Sequence, residues 1–269
     1  MACRIATITS GKGGVGKTTT TGNLAVALAN LDKRVVCLDL DIGLRNLDLI
    51  LGLENRIVYD ITDVIEGRVR WRQALVRDKH LENLSLLPAA QWRDKTAVTE
   101  QQVKMLCDEL SAEFDFILID SPAGIEDGFK QAVAPATEIL LVATPDVSSM
   151  RDADRVAGII EEARKPRPKL IVNRIRNSMV QNVNMLAVED MLSLLHVELI
   201  GVVPEDPMVI SETNKGKMVS LSRRSKSGNE FNRIARRLIG EPVPFAPSAS
   251  ISLFDRFITA IGWNNSSAM

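Results

Sequence analysis

Gly11-Lys12-Gly13-Gly14-Val15-Gly16-Lys17-Thr18 follows at once on a short apolar run, residues 5–9, and opens a helical pattern over residues 18–30. This is G-x-x-x-x-G-K-[ST] in its required setting of strand, loop and helix. The glycines let the backbone turn tightly, so its N–H groups converge on one anion, and the following helix adds the positive end of its dipole. Gly11, Gly13, Gly14, Val15, Gly16, Lys17, Thr18 and Thr19 are therefore the candidate phosphate-binding residues. In such a loop the lysine, here Lys17, reaches the β- and γ-phosphates, and the Thr18 hydroxyl ligates Mg2+.

Outward from this loop the same alternation repeats. Runs at 35–40, 84–87, 116–119, 139–143, 170–172 and 199–203 are short and rich in Ile, Val and Leu, with helical patterns at 99–113, 152–164 and 188–195 between them. Strands of continuous hydrophobicity are covered on both faces, which implies an α/β fold: a doubly wound, mostly parallel sheet with helices on either side. Ligands of such sheets sit beyond the carboxyl ends of the strands. One run closes on Asp39 and Asp41, and another on Asp120-Ser121-Pro122-Ala123-Gly124. Asp41 is placed to face the γ-phosphate, while Asp39 and Asp120 join Thr18 as the expected Mg2+ set. A strand-terminal Asp can also simply cap the next helix. Asn173, after the run 170–172, has one acceptor and two donors, the complement of an adenine edge, and reads equally well as a helix cap.

The totals set limits. A chain of 269 residues with 45% apolar and 25% charged residues can bury one sizeable core. The net charge of −1 predicts neither nucleic-acid nor membrane binding, so either must come from a local patch. Cys3, Cys37 and Cys107 form no C-x-x-C pair and read as buried thiols of a cytoplasmic protein. A strand pattern begins at residue 3, leaving no room for a signal peptide, and no apolar run approaches the roughly 20 residues of a membrane span.

A second lysine, Lys12, sits inside the loop, where a small phosphate site has little need of it. The run K-G-G-V-G-K-T resembles the deviant Walker A (ParA/MinD) ATPases, which include division-site ATPases, chromosome- and plasmid-partition ATPases and the nitrogenase iron protein. Asp41-Ile42-Gly43-Leu44-Arg45-Asn46-Leu47-Asp48, Val58-Tyr59-Asp60, Asp120 to Glu126, residues 147–155 and Gly201 to Asp206 resemble the division-site branch, over residues 1 to about 245. The cysteines are not placed for an iron–sulfur cluster. The resemblance implies an ATP hydrolase that is slow alone, is stimulated by partner and membrane, and cycles between cytoplasm and inner membrane to help place the division site. It implies that Lys12 reaches across an ATP-dependent homodimer to the partner's nucleotide, acting like an arginine finger. It further implies that Asp41 acts on the attacking water and that Gly124 senses the γ-phosphate. Asn173, Arg174 and the turn Pro204, Glu205, Asp206 would border the adenine. The implied partners are a division inhibitor, MinC, and an activator, MinE, meeting the chain around Ser149, Asp152 and Asp154. The alternative is a partition-type ATPase that binds DNA non-specifically through Arg223, Arg224, Lys226, Arg233, Arg236 and Arg237. Three of these, Arg233, Arg236 and Arg237, share a helix face.

The ATPase domain is expected to span 1–241 and a connector 242–249, where Pro242, Pro244 and Pro247 forbid a helix. In 250–263, Phe254, Phe257, Ile258 and Ile261 fall at i, i+3, i+4 and i+7, one apolar stripe joined by Ile251 and Trp263. A short helix of this kind lies in the membrane plane, and the division-site branch ends in one. Arg256 is cancelled by Asp255, so attraction to anionic lipid, about 1 kcal/mol per basic residue, is nearly absent. Insertion then relies on large side chains, each worth roughly 1.5–3 kcal/mol when buried. The competing expectation packs this stripe on the body of the chain or on a partner. A polar tail, 264–269, follows.

Overall fold

The computed structural model describes residues 2–91, 98–182 and 184–245, and the statements below concern these. Eight strands form one sheet: β1 (Arg4–Thr9), β2 (Val35–Asp39), β3 (Val76–Arg77), β4 (Leu84–Leu87), β5 (Phe116–Asp120), β6 (Glu138–Ala143), β7 (Lys169–Ile175) and β8 (Glu198–Pro204). Their spatial order is β3-β4-β2-β5-β1-β6-β7-β8, parallel throughout except for β3 against β4. The doubly wound expectation holds. All seven expected strands are present; the two-residue edge strand β3 carries too little pattern to be read.

Period-two alternation within the strands divides the core between the two faces of the sheet. Val35 and Cys37 of β2, Phe116 and Leu118 of β5, and Leu140 and Val142 of β6 face one way, toward α1 (Lys17–Ala29) and α11 (Lys226–Leu238). Val36 and Leu38 of β2 and Ile117 and Ile119 of β5 face the other way, toward α5 (Glu100–Leu110). On that second face Leu141 of β6 and Val172 of β7 pack on α7 (Val147–Glu162) and α9 (Val188–Leu195). Helix α1 is apolar around most of its circumference because it is sandwiched between the sheet and α11, and eleven of its 13 residues are buried.

The chain runs from β1 outward to β2 on one side and later returns to β6 on the other. The strand order therefore reverses at β1, and the crevice beyond its carboxyl end is where the fold receives a ligand. The 11–18 loop lies there. Shorter helices complete the layers: α2 (Leu47–Leu51), α3 (Ile61–Ile65), α4 (Trp71–Ala74), α6 (Asp127–Val133), α8 (Asn177–Gln181) and α10 (Pro207–Thr213). Helix α7 begins five residues before the pattern at 152–164, because the Asp146 carboxylate accepts the Ser149 amide at 2.9 Å and caps a first turn whose apolar period is incomplete. No helix among the described residues is long and apolar enough to cross a membrane. The expected connector beyond residue 245 and the stripe at 250–263, with Ile251, Phe254, Phe257, Ile258, Ile261 and Trp263, lie outside the described residues.

Candidate nucleotide site

The loop after β1 has the conformation its glycines permit. Gly14 and Gly16 sit at φ 76° and 99°, in the left-handed region that side chains avoid. Gly11 is required by space rather than by dihedral angle. A Cβ there would stand 2.3 Å from the Asp152 carbonyl oxygen, so the loop is pressed directly on the backbone of α7. Lys17 and Thr18 begin α1, with Lys17 almost fully buried and Thr18 partly so. Burial lowers the Lys17 ammonium pKa, opposed by the charges of Asp120 and Asp41, which places both carboxylates near it.

Asp39 and Asp120 are register partners across β2 and β5, each 1% exposed. Burial pushes both carboxyls up, and for Asp39 the neighbouring Asp120 adds to this; Asp120 is raised to about 6 in spite of hydrogen bonds from Thr18 and Thr21. The Thr21 hydroxyl, beyond the residues expected to serve the site, donates to Asp120 at 3.0 Å. Two adjacent buried carboxylates with a hydroxyl beside them fit a divalent cation that keeps part of its water shell, as Mg2+ does. Thr18, Asp39 and Asp120 are the residues that would hold such an ion. Asp39 has a further duty. Its oxygens accept the amides of Asp41 at 2.9 Å and Leu47 at 3.3 Å, fixing the loop that carries Asp41. Strand β2 ends at Asp39, so Asp41 stands in that loop, partly exposed, rather than on the strand.

In the segment after β5, Gly124 (φ 93°) donates its amide to the Ser10 carbonyl at 3.3 Å. A cavity of about 250 Å³ separates this segment from the loop and from Asp152 and Arg155 of α7. Lys12 lies on the rim. Its ammonium is 3.5 Å from Asp146, and the two side chains are 42% and 48% exposed. An exposed ion pair of this kind is worth about 0–1 kcal/mol, so Lys12 is free to exchange partners.

The nucleoside residues also converge. Gly16, Thr19, Asn173, Arg174, Pro204, Glu205 and Asp206 line one cavity of about 200 Å³, floored by Val203 and Phe231. Asn173 donates to the Val15 carbonyl at 2.7 Å and accepts the Arg174 amide at 3.0 Å, leaving one donor and one acceptor for a base edge. Arg174 is held at φ 59° beside a register shift between β7 and β8, the kind of local strain that clusters at ligand clamps. Glu205 pairs with Arg176. Asp206 caps α10 through the Met208 amide at 2.9 Å and accepts the Ser225 hydroxyl at 2.6 Å, so its side chain ties α10 to α11.

Two surface expectations change. Ser149 is 3% exposed, its hydroxyl accepting the Thr144 amide at 3.0 Å; it holds the start of α7 and cannot form part of an outer partner face. Asp152 is half-buried and Asp154 exposed. The arginines on α11 are largely committed. Arg233 and Arg237 pair with the buried Glu230, and Arg236 pairs with Glu241.

A family model described as ParA, NUBPL iron-transfer P-loop NTPase, matches residues 2–239. The septum site-determining protein MinD of a Synechocystis strain is 54% identical over 243 residues, covering 90% of this chain and 91% of that one. A structure of an Aquifex aeolicus MinC:MinD complex superposes with TM-score 0.85 at 49% identity, covering 91% and 99% of the two chains. MinD of Pyrococcus horikoshii, solved with Mg-ADP, gives 0.80 at 30% identity, over 88% and 96%. Such likeness over nearly the whole length places the chain in the MinD septum-site-determining family of ParA-type P-loop NTPases.

Proposed function

We propose that the chain is an ATP-driven switch that pairs on ATP, holds a division inhibitor at the membrane, and is reset by hydrolysis. The observation that carries this reading is Lys12. Its own nucleotide loop already has Lys17, while Lys12 lies at the rim in a weak surface pair with Asp146. When two copies meet face to face over their loops, the ammonium passes to the partner's phosphates, where negative charge develops during transfer. Asp41, in its loop two residues beyond β2, orients or deprotonates the attacking water. The Gly124 amide leaves Ser10 for the γ-phosphate, and Asn173 meets the adenine. Mg2+ held by Thr18, Asp39 and Asp120 would supply charge neutralisation at the phosphates. A site that lacks this second lysine until another copy arrives turns over slowly alone.

The MinC seen with Aquifex MinD supports MinC as the inhibitor recruited here, with α7 around Asp152 and Asp154 as its contact surface. MinE is the proposed activator at the same helix, which touches the nucleotide loop at Gly11. Membrane attachment is assigned to 250–263, two copies acting by avidity. The partition reading loses ground because Arg233, Arg236 and Arg237 are engaged by Glu230 and Glu241, which leaves that helix face one net positive charge rather than three.

Co-sedimentation with anionic liposomes and, separately, with DNA tests this reading. Lipid binding that needs ATP, with no DNA binding in either nucleotide, is expected; ATP-dependent DNA binding without lipid binding would overturn it. Removing residues 250–269 is expected to abolish lipid binding and leave nucleotide affinity within about twofold.

A further inference from the structure

Thr21 lies on α1, four residues beyond Lys17 and three beyond Thr18, spacings that put all three side chains on one face of the helix. That face meets Asp120 at the end of β5. Thr21 is 0% exposed, and its hydroxyl stands 3.0 Å from Oδ1 of Asp120 and 3.1 Å from the Lys17 carbonyl oxygen. A helical threonine often bonds back to the carbonyl one turn earlier, which restricts its rotamer. Here the rotamer held in this way also aims the hydroxyl at a carboxylate. A hydroxyl has one proton to give, and an ionised acceptor makes the stronger bond.

The two buried carboxylates of the site are held in different ways. Asp39 is gripped by backbone, its oxygens accepting the amides of Asp41 and Leu47. Its register partner Asp120 is held by a side chain, the Thr21 hydroxyl on Oδ1, with Thr18 and Lys17 beside it. Thr18 and Lys17 already have duties toward the ion and the phosphates. Thr21 has none, and its polar atom is spent on Asp120 and on its own helix. The residue before it supplies a contrast. The Thr20 hydroxyl is just as deeply buried and has no hydrogen-bond partner among the described residues.

We propose that Thr21 is a positioning residue of the metal site, its hydroxyl keeping the Asp120 carboxylate from turning so that the pair Asp39 and Asp120 is set for a divalent cation. The inference rests on the reading that Thr18, Asp39 and Asp120 hold that ion. Without the hydroxyl, Asp120 loses a fixed donor and gains freedom to rotate away from Asp39, whose charge repels it. Groups that orient a ligand from behind typically account for roughly 10–100-fold in metal affinity.

The Mg2+ dependence of fluorescent ADP binding to the full chain tests this without turnover. Thr21→Val keeps the shape and removes the hydroxyl, Thr21→Ser keeps the hydroxyl, and Thr20→Val removes the unpartnered neighbour. The Mg2+ concentration that half-saturates the gain in ADP affinity is expected to rise about tenfold in Thr21→Val. It is expected to stay within about twofold of the unaltered chain in Thr21→Ser and Thr20→Val, and ADP affinity in EDTA is expected to be the same in every chain. An unmoved Mg2+ midpoint in Thr21→Val would overturn the proposal, as would a Thr21→Ser chain equally impaired. An equal shift in Thr20→Val, or a matching loss of ADP affinity in EDTA, would also overturn it, because either marks damage to α1. Asp120→Asn separates the two readings. If it leaves the Mg2+ requirement unchanged, the ion site itself falls; if it raises the requirement and Thr21→Val does not, only the role of Thr21 falls.

Discussion

Asn173 shows how a single side chain serves structure and ligand together. One amide proton holds the Val15 carbonyl of the phosphate loop, and the carbonyl oxygen takes the Arg174 amide, so the base edge is met by what remains. Replacement by Ala removes the base contact and leaves the loop carbonyl unpaired, a loss of about 1–3 kcal/mol. Asn173→Ala is therefore expected to weaken nucleotide binding by roughly tenfold to a hundredfold, read by titration with a fluorescent nucleotide. Unchanged affinity would remove Asn173 from the site. Lys12 is the complementary case, a cation whose present partner, Asp146, is too exposed to retain it.

Helix α11 depends on a buried charge cluster. Glu230 and Arg237 are 4% and 10% exposed in their side chains, and deleting one partner of such a pair leaves an uncompensated charge. Arg237→Ala is expected to cost about 3 kcal/mol in urea unfolding, with Arg233 sparing part of the loss, and the double variant with Glu230→Gln should recover much of it. The tie between α10 and α11 responds to pH. Burial raises Asp206, but the Ser225 hydroxyl and the amides of Met208, Lys226 and Ser227 outweigh it and hold the carboxyl below its ordinary range. A depressed folded pKa means that the contribution is present above the unfolded pKa of about 3.9 and is lost as pH falls through the folded value. Asp206→Asn is expected to flatten the decline of the unfolding midpoint below about pH 4, and an unaltered slope would contradict this. Much at this scale was legible. Continuous apolar runs marked seven of the strands, and residues at their carboxyl ends supplied Asp39, Asp120, Asn173 and Pro204–Asp206. What escaped had its cause outside the local pattern. The start of α7 is set by the Asp146 cap, β3 is a two-residue edge strand, and the inward turn of Ser149 toward Thr144 is decided by tertiary packing. Asp206-Pro207 did carry a helix-start signal for α10, but the pair reads first as part of the base turn.

At the scale of the whole molecule, the reversal of strand order at β1 gathers the phosphate loop, Asp41, Gly124, the nucleoside cavity and the start of α7 on one face. Lys12 stands at the edge of that face, so joining two copies across it exchanges lysines between sites. Lys12→Ala and Asp41→Ala are each expected to bind ATP and to hydrolyse almost none of it, even with lipid and activator present. Their mixture is the decisive measurement. In a mixed pair, the pocket that keeps Asp41 receives Lys12 from the other chain, so random pairing should restore about one quarter of the wild-type turnover. A mixture as inert as its components, or a Lys12→Ala chain that hydrolyses ATP at the wild-type rate by itself, would contradict the shared site.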